Sequence, residues 1–421
     1  MRPRRSDGLR HDRKVVVMDT RTKVGFVGAA GALIILYFAS GGPIPLYSIY
    51  QEQLDLSNGQ LSMVSMYYLL GTVIPLMFLP RISDHLGRRP VTVMILLISI
   101  SGCITFAFVS SPEMLMAGRL IQGIVSGLGS STVAAYVVDL ASDLPRWVGP
   151  TITSSAPTLG LSLGCFVSGG VTNYTSVTSE SYFEMVTVVV CVFIVLVFFA
   201  RETMPRKPGL VRSLRPRFVL PPNSLRLYAA SSMAFVATWA LGGFAQSFSS
   251  TIVSEQFGIH DSFVAAAVYT ALLLPNVVGS FFAKRFEVRQ AQRWGFGMFT
   301  LCAVLMLVSL EFLDSLALYI VFSMVAAVSQ GVAFTAGVTE ILGRATKEQR
   351  SGTFSLIYLT SYGGAAIPNL VVGLLPGEYS LFTILTGYVV LVVVMFAIML
   401  VLSAKPYPKA EAREVARTEG S

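Results

Sequence analysis

Two short stretches concentrate side chains able to do chemistry in a 421-residue chain of which only 13% is charged. The first, 81-RISDHLGRRP-90, brings together Arg81, Asp84, His85, Arg88 and Arg89. Arg88 or Arg89 can form forked bonds to a carboxylate, for which Asp139 is a suitable partner, and Gly87 permits a tight reversal where a Cβ would clash. Asp84 can face the positive end of a helix starting near Ser351. Such contacts would latch two parts of the chain together, whereas setting topology needs only the basic side chains. The second stretch, 118-GRLIQG-123, puts Arg119 deep in an apolar run, where a charge costs roughly 2.5–3.5 kcal/mol on insertion scales. At about 100° per residue Arg119, Gln122, Ser126 and Ser130 share one narrow face. A polar stripe of this kind faces a bundle interior, where Arg119 bonds backbone or substrate and favours ionisation of a nearby carboxylate. The alternative is an arginine that reaches back to the near surface.

Candidate carboxylates are few. Glu340, in 334-FTAGVTEILG-343, is the only acid clearly within an apolar run, while Glu184 and Asp139 lie near ends. Two readings of Glu340 stand side by side: a buried group that takes up a coupling proton, or a helix-end residue paired with Arg344. His11, His85 and His260 are scattered, with no metal-ligand spacing, phosphate loop or nucleophile elbow, so neither an enzyme nor a metal site is expected.

The elements that must position these residues are membrane helices. The chain is 53% hydrophobic, and its apolar residues come in runs long enough to cross a bilayer core of about 30 Å as helix. Twelve such runs lie near 24–48, 59–80, 90–110, 113–139, 147–172, 182–200, 227–253, 262–283, 293–311, 315–342, 351–375 and 379–403. If residues 1–23 are cytoplasmic, the inner segments hold 30 of the 31 Lys and Arg and the outer loops none, the remaining cation being Arg119. The net charge of +8 is therefore topogenic, spread over every inner loop, and gives no nucleic-acid face. The expected organisation is residues 1–23 and 404–421 as cytoplasmic ends, 24–200 and 227–403 as two six-helix bundles, and the Pro- and Arg-rich 201–226 as a cytoplasmic linker. Met18 is an alternative start. The four cysteines sit inside apolar runs as small core residues.

The halves repeat. The first span reads 39-ASGGPIPLYS-48 and the seventh 240-ALGGFAQSFS-249; Gln122-Gly123 in the fourth answers Gln330-Gly331 in the tenth; Arg146 and Arg350 follow at the inner ends. Over essentially its whole length the chain resembles the major facilitator superfamily. The superfamily's G-x-x-x-D-R-x-G-R-R loop element is matched by Asp84, Gly87, Arg88 and Arg89, with Pro80 and His85 departing from the expected Gly and Arg. Arg119, Gln122 and Gly123 resemble the R-x-x-Q-G element often found in proton-coupled members. The fifth span, 149-GPTITSSAPTLGLSLGCFVSGG-170, is loosely similar to the Gly- and Pro-rich element of antiporters, and Gly160 and Gly164 also suit plain close packing.

The resemblance implies an all-α fold of two pseudo-symmetric six-helix bundles, with spans 1, 4, 7 and 10 lining a central cavity. That cavity would hold Tyr47, Trp239, Phe244, Gln246, Gln330 and Phe334 beside Arg119, Gln122 and Ser126, with Glu340 as a coupling candidate. Asp84, Gly87, Arg88, Arg89, Asp139 and Arg146 would form the cytoplasmic latch. The expected function is secondary transport by alternating access, as proton-linked efflux of small hydrophobic or amphipathic compounds. Metabolite uptake, and a membrane sensor that moves nothing, are the other readings. No cofactor beyond the proton is expected, and the partners are a small-molecule substrate, protons and lipid. The protein is expected as a monomer in the plasma (inner) membrane with both termini cytoplasmic.

Overall fold

The computed structural model describes residues 20–145, 148–208, 218–346 and 349–407, and all regular structure among them is helical. The first half comprises α1 (Arg21–Leu54), α2 (Asn58–Phe78), α3 (Arg88–Ala107), α4 (Pro112–Leu140), α5 (Val148–Tyr174) and α6 (Ser179–Phe198). The second comprises α7 (Leu225–Gln256), α8 (Ser262–Phe282), α9 (Val288–Glu311), α10 (Leu316–Gly343), α11 (Arg350–Leu374) and α12 (Leu381–Leu402). Eleven of these are long and apolar enough to cross a membrane. The twelfth, α5, is 27 residues long and diluted with Ser, Thr and Gly, which lowers its hydropathy without shortening it. The protein is a multi-pass membrane protein.

One end of the bundle carries Arg81, Arg88, Arg89, Arg201, Arg289 and Arg344, and is called the basic end below; the other, with Glu52, Asp261 and Asp314, is the acidic end. All six helices that start at the acidic end have a side-chain cap on an otherwise orphaned backbone N–H: Ser57 for α2, Ser111 for α4, Thr178 for α6, Asp261 for α8, Ser315 for α10 and Ser380 for α12. At the basic end arginines serve helix C-termini instead. Arg226, Arg289 and Arg293 donate to the carbonyls of Leu402, Ser403 and Ala404 at the C-terminal end of α12. There Tyr407 donates to Gln292 at 2.6 Å, and burial pushes its hydroxyl up to about 12.

The repeat read from Gln122 and Gln330 governs packing. Gly71 of α2 faces Leu120 of α4, and Gly123 faces Tyr68, so closely that a Cβ on either glycine would collide with the facing carbonyl oxygen. Gly279 facing Val328 and Gly331 facing Asn276 repeat that contact between α8 and α10, each residue 208 positions after its counterpart. Gly160 and Gly164 seat α5 against Tyr37 and Phe38 of α1, and Gly169 seats it against Ser262 of α8.

The halves meet at the acidic end. Ser250 Oγ donates to Ser48 Oγ at 2.7 Å, Thr251 to Gln51 at 2.9 Å, and Gln51 to Glu255 at 3.2 Å. Deeper in, Asn369 of α11 accepts on its Oδ1 from Ser62 of α2 (2.9 Å), Ser247 of α7 (3.1 Å) and Tyr388 of α12 (2.9 Å). Towards the basic end α2 and α11 diverge around a fissure of about 350 Å³. The structure is thus closed at the acidic end and open towards the basic one.

Because the glycine contacts are duplicated, Gly123→Leu and Gly331→Leu should each force a helix pair apart and cost at least the ~1–3 kcal/mol typical of overpacking. Thermal unfolding of the detergent-solubilised variants checks this. Similar losses in Tm are expected for both, and no loss at either would contradict the described packing.

Candidate functional site

Pro43 and Pro45 have no N–H, so the carbonyls of Ala39 and Gly41, four residues before each, lose their helical donors. α1 answers with a tight turn over Ile44–Leu46 before resuming at Tyr47. Donors from α4 and α5 take the exposed carbonyls one after another. Gln122 Nε2 donates to Ala39 at 2.8 Å and Arg119 Nη1 to Ser40 at 2.9 Å; Cys165 Sγ donates to Gly41 at 3.2 Å and Ser168 Oγ to Gly42 at 2.7 Å. Arg119 Nη1 also donates to Gln122 Oε1 at 2.8 Å, so the two side chains act as one clamp. Ser126 adds a contact to Ser40 Oγ at 3.1 Å and accepts from Tyr68 OH at 3.3 Å.

Arg119 is completely buried, which rules out reaching for the surface. Its guanidinium lies 4.3 Å from the centroid of the Tyr68 ring and 5.8 Å from that of Tyr47. Among the described residues no carboxylate is within ion-pair distance of it, so the expected effect on a neighbouring acid has no acid to act on. Its Nε and Nη2 have no hydrogen-bond acceptor among the described residues.

Between the halves lies a cavity of about 510 Å³, a size typical of small-molecule sites. Of the residues expected in its wall, Trp239, Gln246, Gln330 and Phe334 are there. Arg119, Gln122, Ser126 and Tyr47 are not, and their placement is corrected: the pull of the α1 carbonyls holds the stripe against α1, with Tyr68 as the wall in front of it. Phe244 packs on Phe248 and Tyr388 instead, completely buried. Glu340 also lies outside the wall, half-exposed and paired with Arg344 at 3.2 Å, which is the helix-end reading of that residue.

The wall contains residues that periodicity did not single out: Tyr37, Tyr68, Tyr269, Asn276, Tyr358 and Tyr362. Asn276 had a signal, an amide directly after Pro275 in an apolar run, where α8 is interrupted and loses a helical bond. None of the described residues of the wall is charged. The side-chain amides of Gln246 and Gln330 have no hydrogen-bond partner among the described residues and are available to a ligand.

The 81–90 turn is built around two ionic contacts. Arg88 pairs with Asp84 at 2.8 Å and with Asp139 at 3.3 Å, and Thr203 donates to Asp139 at 3.0 Å. Glu202, which no motif pointed to, accepts from the backbone N–H of Arg88 (2.8 Å) and of Arg89 (3.1 Å), placing a carboxylate on the N-terminus of α3. Gly87 has φ 97°, and a Cβ there would sit 2.7 Å from a Glu202 oxygen, so both strain and space demand glycine. Arg89 lies over the Phe198 ring at 5.9 Å, and His85 and Lys207 exchange contacts at 3.0 and 3.2 Å. All these partners belong to the first half or to the segment just after α6. The expected seat of Asp84 against the second half near Ser351 is corrected accordingly: with the basic end open, its ion pair is with Arg88. Arg146 lies outside the described residues.

A family model described as Major Facilitator Superfamily matches residues 29–287. The multidrug resistance protein MdtL of Klebsiella pneumoniae is 29% identical over 189 residues, 44% of this chain and 47% of that protein. The arabinose-proton symporter of Escherichia coli is 29% identical over 150 residues, 34% of this chain and 31% of its own. The chain thus spans less than half the length of these curated relatives. Among solved structures, a bacterial homolog of the human lysosomal transporter Spinster, in an inward-facing and occupied conformation, superposes with a TM-score of 0.68 at 12% identity, covering 92% of this chain and 98% of that one. That likeness establishes the fold.

The clamp makes equivalent glutamines unequal. Gln122→Ala strands the Ala39 carbonyl and one Arg119 donor and should cost about 1–3 kcal/mol, a fall of a few degrees in Tm. Gln330→Ala breaks no hydrogen bond and should leave Tm within a degree or so, as differential scanning fluorimetry would show.

Proposed function

The chain belongs to the major facilitator superfamily, and we propose that it is a secondary transporter that moves uncharged or weakly polar, aromatic or amphipathic organic molecules by alternating access. The observation that carries the proposal is the central cavity: aromatic walls, unpaired amides at Gln246 and Gln330, and no charged side chain. Burying a fully charged group in such a wall would leave it unpaired. An uncharged aromatic molecule with a few polar atoms avoids that penalty: it can stack on Trp239, Phe334 and the tyrosines, while Ser280, Thr335 and the amides meet its polar atoms.

We read the basic end as cytoplasmic, from the distribution of Lys and Arg, so that the described state receives substrate from inside. Export in exchange for protons is the finer reading, supported by the matched multidrug protein and by the R-x-x-Q-G element at Arg119. In that reading the proton acts on the closures, because the cavity wall holds no carboxyl. Glu255, bonded to Gln51 across the halves, is the acid placed to break or form the acidic-end closure. Asp84, released from Arg88, would brace the basic end when that side shuts.

In proteoliposomes carrying a preset pH gradient, addition of a planar amphipathic dye should dissipate the gradient, and Glu255→Gln should uncouple dye movement from it. Gln246→Ala and Gln330→Ala should raise KM about tenfold, one lost hydrogen bond to the ligand each. A dye that binds but is never moved would refute transport.

A further inference from the structure

We propose that the fissure between α2 and α11 is a lateral portal through which planar aromatic molecules pass from the bilayer into the central cavity. This route rests on the transport reading above and adds the path of entry to it. Among the described residues the fissure is lined by α2, α11 and Pro80 just beyond α2, with Val73, Met77 and Phe354 in its wall and no charged side chain. Nearly all of its described rim lies within membrane-spanning segments, which in this proposal sets its mouth against lipid at the basic end. Leu76, Tyr358 and Tyr362 line both the fissure and the central cavity, which makes the two spaces neighbours through shared walls.

The rings along this route form a ladder. Phe354, Tyr358 and Tyr362 recur every four residues on one face of α11, with centroids 6.2 and 6.3 Å apart. Tyr362 meets Trp239 of α7 at 4.6 Å, and Trp239 meets Phe334 of α10 at 6.2 Å, inside the cavity. Phe354 and Tyr358 are each 39% exposed at the outer rungs. A flat solute can exchange one ring contact for the next along such a series, which is stacked at Phe354–Tyr358, tilted at Tyr358–Tyr362 and edge-on at Tyr362–Trp239. Pro80, where a glycine was expected from the loop motif, contributes to the mouth and supplies no free N–H to solvate.

Met77 and Phe354 belong to the fissure and not to the cavity, which allows route and site to be separated. Met77→Trp should obstruct the mouth, and Phe354→Leu should remove the first rung. For a membrane-partitioning planar dye in proteoliposomes, each should lower kcat/KM about tenfold while Kd, from quenching of tryptophan emission in detergent, stays within twofold. Retained Kd also shows that the variants fold. Unchanged transport in both variants overturns the portal alone, as does a Kd loss equal to the rate loss. The portal also falls if a phospholipid acyl chain copurifies in the fissure and its removal leaves the rates unchanged. A wild-type protein that binds the dye without moving it overturns the transport reading, and the portal with it.

Discussion

The break in α1 is the constraint on which the site depends. Two prolines deprive Ala39 and Gly41 of helical donors in a region where lipid and protein offer no water. The chain resolves this with Gln122, Arg119, Cys165 and Ser168, four donors on two neighbouring helices meeting four successive carbonyls. The price of this solution is a buried cation without a counter-ion among the described residues, moderated by the rings of Tyr68 and Tyr47. Tyr68 then has two tasks, facing the guanidinium and forming the cavity wall. A substrate in the cavity accordingly sits one ring away from a positive charge it does not touch.

The two halves share a scaffold and differ in this chemistry. The Gly71–Gly123 and Gly279–Gly331 contacts are copies, and both bring helices to backbone distance. The position that corresponds to Arg119 in the second half is Ala327, and the counterpart of Tyr68 is Asn276. Without an arginine to hold, Gln330 is released to the cavity and Asn276 joins it there. Duplication thus supplied the packing, and one substitution in each pair separated a structural half from a half whose amides face the cavity.

Much of this was legible in the sequence because the membrane leaves few options. Run length located all twelve helices to within a few residues, and the Gln-Gly repeat disclosed the duplication. Trp239, Gln246, Gln330 and Phe334 reached the cavity because they lie on the faces of helices 7 and 10 that border it, whereas Phe244 lies on another face of helix 7. Arg119 and Gln122 did not, because periodicity reports a face and not which neighbour that face meets; the unmet carbonyls of α1 decided it. The tyrosines were missed for the same reason, since Tyr37, Tyr68 and Tyr362 look like ordinary apolar-run residues until two halves place them opposite each other. Glu202 escaped because its role is to answer backbone N–H groups more than a hundred residues away, which no local pattern encodes. The pairing of Arg88 with Asp139 was legible, whereas the partner of Asp84 depends on which end of the protein is open.

At the acidic end the halves are joined mainly by hydroxyls and amides, Ser48 with Ser250, Gln51 with Thr251, and Asn369 with Ser62, together with two hydrogen bonds to carboxylates, Gln51 to Glu255 and Tyr174 to Asp261. Apart from the exposed Glu52–His260 contact, no ion pair among the described residues joins the halves there. Neutral bonds of this kind contribute only about 1 kcal/mol each and are hardly touched by counter-ions. Most of the closure is therefore a seal whose strength depends little on the ionic strength of the medium it faces.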